Sequence, residues 1–489
     1  MRNGRINFIV VFILSLLLLF SWSLKSFATN QVKKGGIKVE NTQASTVELW
    51  LSTVDQKNLL KKQDLSKAQD IYASVSYSVN IDTNKKYQIM DGFGASLTDA
   101  SAYLIYNKLT PEKRNEVMKK LFDRKEGIGI SFLRQPMGAS DFTTKIYSYD
   151  DMPEGQTDHG LKHFSIDHDK KYIIPLIKQA MKLNKDLKIM ATPWSPPGWM
   201  KTSDNMIGGS LWQDCYQDFA DYFVKFIKAY EKEGIPIYAI SPQNEPLYVP
   251  SEYPGMKMTA EEQADFIKNY LGPAFKKNNI KTKILIYDHN WDNTTYASYI
   301  LSDPEVAKYV DGSAWHCYGG KHEAMTYIHN LFPNKEIWFT EASGGEWVPP
   351  FFNAFMDQMM HVIRSTRNWA KSVVWWNMAL DENNGPTVLS HSTCRGVLKI
   401  NQKDGSVIYN LDYYTMGHIS KFVVPGAYRI ESSNYTDKLE TVAFQNPDKS
   451  VVLIMSNRTN DNKKVNIKLG TKTLTYILPA YAAATVVWH

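Results

Sequence analysis

From Val47 to about Lys86, apolar and polar residues nearly alternate in short runs such as VELWLST and IYASVSYSVNI, the period-two pattern of half-buried strands. Near Met90 the texture changes. From there to about Tyr409, apolar runs of strand length alternate with longer stretches in which apolar residues recur every three to four positions, the signature of strand–helix units. Eight runs read as strands, at 90–96, 130–136, 187–192, 237–241, 283–287, 312–315, 336–340 and 372–376. Helical stretches fall between them at 111–124, 170–184, 216–233, 260–278, 295–309, 323–331 and 351–368. Thr110-Pro111-Glu112 and Thr259-Ala260-Glu261-Glu262 carry the cap residues and first-turn proline of helix starts. After Tyr409 the alternating texture returns as YRIESS, LETVAFQ, SVVLIMSN, KVNIKL, LTYILP and AAATVVWH, short strands divided by Asn, Asp, Gly and Lys turns.

Strand–helix alternation predicts parallel βα units. Eight of them, spread over about 320 residues, predict an α/β protein built on a (β/α)8 TIM barrel. The flanking strands predict an appended antiparallel β-sandwich built from both chain ends, since chain ends often lie close together. The expected boundaries are a signal peptide at 1–28, a flexible lead-in at 29–46, N-terminal sandwich strands at 47–86, the barrel at 87–410 and the C-terminal sandwich at 411–489. A doubly wound open sheet is the alternative, but the chain has no glycine-rich phosphate loop to favour it.

The leader reading rests on Arg2 and Arg5, an apolar run from Ile6 to Phe20, and Ser26-Phe27-Ala28, with cleavage expected after Ala28. An uncleaved anchor is the alternative, because residues 6–24 are nearly long enough to span a bilayer. Both place the rest of the chain outside the cytoplasm. Losing Arg2, Arg5 and Lys25 takes the net charge from +6 to about +3, too small and dispersed to predict a nucleic-acid partner. Membrane contact is expected only through an uncleaved N-terminal segment. Cys215, Cys317 and Cys394 lie far apart, which argues against structural zinc and leaves room for at most one disulfide. Aromatic residues make up 13% of the chain. Flat rings suit sugars but fill ordinary cores as well.

The residues just after each strand carry more information. The eight runs lead into Thr98-Asp99, Ser140-Asp141, Pro193-Trp194-Ser195, Gln243-Asn244-Glu245, Asp288-His289-Asn290, His316-Cys317-Tyr318, Glu341 and Asn377. In a parallel barrel these C-terminal strand ends share one rim, and a purely structural barrel has no need of acids, amides and Trp repeatedly at the same end. Glu245 ends the fourth strand and Glu341 the seventh. Two carboxyl groups facing each other across a sugar are what glycoside hydrolysis with retention requires. Asn244, beside Glu245, can bond a sugar hydroxyl or serve its own turn ahead of Pro246.

SPQNEP, WFTEASGG, DGFGASLTDASA and FLRQPMGASDF followed by ATPWSPPGWMKT resemble glycoside hydrolase family 30, in its glucosylceramidase and β-1,6-glucanase branch. The similarity continues in order through AWHCY, HNLFPNKEIWFTE and WWNMALDENNGP to MGHISKF, over about residues 88–423. The resemblance implies a (β/α)8 barrel with a β-sandwich. It implies Glu245 as acid/base and Glu341 as nucleophile, with Asp141, Trp194, Asn244 and Trp376 holding the sugar. Tyr318 lines the site, and Arg134 and His316 orient or tune the carboxylates. Arg134 also reads as an ion pair inside the barrel, Trp376 as a core aromatic, and Asp99 as a helix cap as readily as a sugar contact. The resemblance thins in TVLSHSTCRGVLKINQKDG, where His391 or Arg395 is a candidate for different contacts.

The implied reaction is a double displacement needing no metal or organic cofactor, with a carbohydrate or glycolipid as substrate. Glu245 is expected to have a raised pKa because Glu341 is a nearby like charge. The branch offers β-1,6-glucan, glucosylceramide-like lipids and other β-glucosides or β-xylosides as substrates, and leaves the departing group open. Readings of a different class are a carbohydrate-binding protein without catalysis and a metal-dependent hydrolase using His289 or His316.

Overall fold

The computed structural model describes residues 47–489 apart from 70 and 74; the expected leader and lead-in both lie outside the described residues. The eight expected parallel strands, one to eight in chain order, are Gly92–Ser96, Phe132–Pro136, Lys188–Thr192, Ala239–Ile240, Lys283–Asn290, Gly312–His316, Glu336–Glu341 and Ser372–Trp375. Strands one to seven pair in chain order, and the eighth pairs with the first. Between the seventh and eighth, the amides of Ala342 and Trp376 bond Val374 O and Ala342 O at 3.0 and 2.8 Å, closing the ring. The sheet is therefore a TIM barrel.

Inside the barrel, Phe132, Met190, Ala239, Leu285, Ala314, Trp338 and Val374 form an apolar layer, one residue from each of strands two to eight. The first strand contributes Gly94, where a Cβ would sit 2.0 Å from Phe132 O. Side chains alternate along a strand, so the next inward position lies two residues on. There the fill becomes polar, with Arg134, Thr192, Ser241, His316 and Thr340.

Two expected helices are interrupted. The 260–278 stretch passes through a π turn at Ile267–Leu271, and the 295–309 stretch breaks before Pro304, which cannot continue a helix. Residues 411–489, expected from the pattern to be C-terminal sandwich, begin instead with a helix, Leu411–Ser420, packed under the first strand. Nine of its ten residues are buried; a helix covered all round has no polar face, so periodicity gives no sign of it.

Strands from both chain ends form one nine-stranded sheet wrapped around a separate core. Its one departure from the antiparallel expectation is Val75–Ile81, paired in parallel with Lys463–Leu469. A strand arriving from the other end of the chain is not constrained by a hairpin. Strands Val451–Asn457 and Ala482–Trp488 are buried on both faces. Leu453 and Val486 face the sandwich core, whereas Ile454 and Val487 face the barrel.

His418 pins the Leu411–Ser420 helix to the sandwich. Its ring nitrogens meet Thr485 Oγ1 and Ser52 Oγ, each at 2.9 Å. Burial pushes this imidazole from the usual 6.5 down to about 3. Between those values the unfolded chain binds a proton that the folded one refuses. Stability is therefore fully present above about pH 6.5 and lost on acidification toward 3, with a slope of up to ~1.4 kcal/mol per pH unit. His418→Gln is expected to flatten that slope in urea unfolding followed against pH; parallel curves for parent and variant would refute the assignment.

Candidate active site

Asp288 is the hub of the polar layer, a role that strand-end position alone does not reveal. A register shift between Tyr287 and His289 turns it inward, as bulges beside active sites commonly do, and its φ is +57°. It is fully buried. Oδ2 accepts from Arg134 Nη2 at 2.9 Å, Ser241 Oγ at 2.6 Å and Thr192 Oγ1 at 3.2 Å. Oδ1 accepts from Thr340 Oγ1 at 2.7 Å and lies 3.1 Å from His316 Nε2. Burial alone would raise its pKa, but the Arg134 charge and the His316 bond hold the carboxyl far below the usual range. The one signal in the sequence is an acid at the end of the apolar run KILIYD.

Arg134, fully buried, bonds Glu341 Oε2 through Nη1 and Asn244 Oδ1 through Nη2 at 2.6 Å. Arg134 thus forms an ion pair inside the barrel that also bonds the Glu341 carboxylate, and the Asn244 amide oxygen turns to Arg134 rather than to its own turn. Glu341 also accepts from the Tyr318 hydroxyl at 2.8 Å. A second register shift, between Phe339 and Glu341, sets this carboxylate at the rim.

Glu245, at φ +44°, meets His316 Nδ1 through Oε1 at 3.0 Å. Burial disfavours an imidazolium at His316. The charge of Glu341 and the bonds to Asp288 and Glu245 outweigh it and raise its pKa to about 10. The expected upward shift of Glu245 is corrected by this neighbour. Burial does push the Glu245 carboxyl up, but the hydrogen bond and charge of His316 bring it below its ordinary value.

Trp194 and Trp376 stack with ring centroids 4.9 Å apart, and the Arg134 guanidinium lies 4.9 Å from the Trp194 ring. Both indoles are under 5% exposed, so Trp376 is a core aromatic, packed in one cluster with Trp194, Phe142 and Leu380. Asp141 keeps Oδ1 enclosed without a partner. Burial, followed by the Glu341 charge, pushes it up to about 8. Gln243 Oε1, His289 Nδ1 and Asn377 Nδ2 are likewise enclosed and unpartnered. Unsatisfied buried polar atoms are costly, and these four lie at or just after the C-terminal ends of the second, fourth, fifth and eighth strands.

Asp99 is neither cap nor rim group. Thr98 caps the helix, while Asp99 ties the Thr143–Thr144 loop to His168 and Tyr172. Arg395 pairs with Asp412 at 2.6 Å. His391 has no bond among the described residues, and all three cysteines are free.

One atom each of Glu245, His316 and Glu341 lies within 4.8 Å of the others, close enough to share a cation. A metal there would compete with Arg134 for Glu341 and with the proton on His316. His289 belongs to no such group among the described residues.

The model of the glycosyl hydrolase family 30 TIM-barrel domain matches residues 90–423, and that of the family's β-sandwich domain matches 426–486. An endo-1,6-β-D-glucanase of Neurospora crassa is 32% identical, over 81% of this chain and 86% of its own. The lysosomal acid glucosylceramidase of Mus musculus is 33% identical, over 84% of this chain and 83% of its own. The solved structure of an endo-β1,6-glucanase superposes with a TM-score of 0.83 at 33% identity, covering 91% of this chain and 99% of that one.

Proposed function

This chain belongs to glycosyl hydrolase family 30, and on that footing we propose that it hydrolyses β-glucosidic bonds with retention, Glu341 serving as nucleophile and Glu245 as acid/base. One observation carries the reading: oxygens of the two carboxylates lie within 4.8 Å. Retaining pairs stand about 5–5.5 Å apart, whereas inverting pairs need about 6.5–9.5 Å to admit a water.

In the first step a Glu341 oxygen attacks the anomeric carbon as the bond to the leaving oxygen breaks. Arg134 and Tyr318, each donating to one of its oxygens, hold Glu341 in place. The leaving oxygen takes the proton of Glu245. In the free site that proton rests on His316, 3.0 Å away. A bound sugar expels water, and the drier site favours the neutral Glu245–His316 pair over the charged one. In the second step water attacks the glycosyl ester, Glu245 takes its proton, and Glu341 leaves. Proton NMR of the first product released from an aryl β-glucoside tests this: the β-anomer is expected, and the α-anomer would sink it.

Asp141, Trp194, Asn244 and Trp376 form the proposed glucose-holding wall. Below about pH 8 Asp141 is protonated and offers a donor to a sugar oxygen. Above it, Asp141 adds a negative charge beside Glu341. kcat/KM is therefore expected to fall as pH rises through about 8, and Asp141→Asn to remove that limb at a lower overall rate. A parent profile that stays flat well above this value would contradict the role.

β-1,6-linked glucan is the leading substrate, supported by the similarity to the two endo-1,6-glucanases. A glycolipid is the second reading. Leu247, Tyr248 and Val249 stand 41%, 52% and 44% exposed just beyond Glu245, where an apolar leaving group would lie. Comparing kcat/KM on β-1,6-gluco-oligosaccharides with that on glucosylceramide in micelles separates the two. The basic residues, apolar run and Ser26-Phe27-Ala28 of the leader support export of the enzyme from the cytoplasm.

A further inference from the structure

A second cavity, of about 360 Å³, lies behind one wall of this site. That volume falls in the range of small-molecule sites, about 300–1,000 Å³. The wall is a two-stranded ribbon in which Gly344 pairs with Arg395 and Gly345 with Cys394, beginning three residues after Glu341. On the catalytic side Cys394 packs against the cluster holding Trp194 and Trp376. On the other side the ribbon faces the cavity, whose lining also includes Phe351, Tyr409 and Tyr414. Gln56 and Leu59, from the turn after the first sandwich strand, close it.

The chemistry of the lining selects a neutral, hydroxyl-rich ligand. Rings supply apolar faces for pyranose C–H edges, and Asn384, Asn410 and Gln56 supply amides. The charges nearly cancel: Arg395 is neutralised by Asp412, and Lys399, without an ion pair among the described residues, shares the lining with Glu346. An anion would find no net positive site. The Tyr409 hydroxyl is enclosed without a partner, and a sugar hydroxyl can satisfy it once the side chain turns.

We propose that this cavity is a second, non-catalytic binding site for a β-gluco-oligosaccharide, holding a stretch of the polymer whose bond is cut across the ribbon. The ligand class rests on the β-glucan reading of the catalytic site. Linking two sites on one chain raises the local concentration of substrate without any new contact at the catalytic centre. Glu341→Ala protein titrated calorimetrically with a short β-1,6-linked gluco-oligosaccharide is expected to bind two molecules. Adding Tyr409→Ala with Lys399→Ala should leave one. In the active enzyme the same pair of changes is expected to lower kcat/KM on soluble β-1,6-glucan about tenfold while sparing an aryl β-glucoside. A single binding event in the Glu341→Ala parent, two in the variant, or an equal loss on both substrates would overturn the proposal. Unaltered protein inert toward every aryl β-glucoside would instead count against the catalytic reading, whatever the number of binding events.

Discussion

Glu341→Gln is expected to lower kcat on an activated β-glucoside by at least about a thousandfold, some ~4 kcal/mol of barrier. The amide oxygen can still accept from Arg134 while its NH2 donates to the Tyr318 hydroxyl oxygen, so the melting temperature should stay near that of the parent. What disappears is the carboxylate oxygen proposed to form the glycosyl ester. Glu341→Ala goes further by leaving space on that face of the sugar. Azide supplied in solution should occupy it, attack the anomeric carbon and give the α-glucosyl azide, restoring part of the rate. Turnover by Glu341→Gln within tenfold of the parent, or a β-azide product, would remove Glu341 from the nucleophile's place.

The second large effect is on stability. Asp288→Ala is expected to cost about 3–5 kcal/mol, the usual penalty for removing one partner of a buried ion pair. Arg134 and His316 would be left as buried cations, and the Ser241, Thr192 and Thr340 hydroxyls would lose their acceptor. Activity should fall as well, because Arg134 bonds the proposed nucleophile Glu341 and His316 the proposed acid/base Glu245. Chemical unfolding of Asp288→Ala beside Glu341→Gln separates the roles: both lose activity, but only the first loses stability. A stability change under about 1 kcal/mol for Asp288→Ala would mean the polar layer is not organised around this carboxylate.

Much of this site is legible in the chain because barrel strands are short apolar runs and a parallel barrel puts all their C-terminal ends on one rim. Glu245, Asn244, Trp194, Asp141, His316 and Trp376 come from that rule together with the motifs. Asp288 is visible as a strand-end acid but not as the hub, because its inward turn depends on a bulge in the fifth strand. The direction of the Glu245 shift is hidden for a related reason. The sequence places one like charge nearby, whereas the folded site also brings His316 within 3.0 Å.

The sequence by itself determined the elements, the parallel barrel, the sandwich made from both ends, and the two glutamates at strand ends four and seven. Those features are written in local periodicity and in short motifs, where the physical cause lies within a few residues. Tertiary structure alone decided what the long-range partners are. The Leu411–Ser420 helix is hidden from periodicity because it is buried on every side. Arg134 spans Glu341, Asn244 and Asp288, drawn from strand ends more than a hundred residues away in the chain. Charge in a buried site is set by the groups that meet there, and which groups meet is fixed only when the barrel closes.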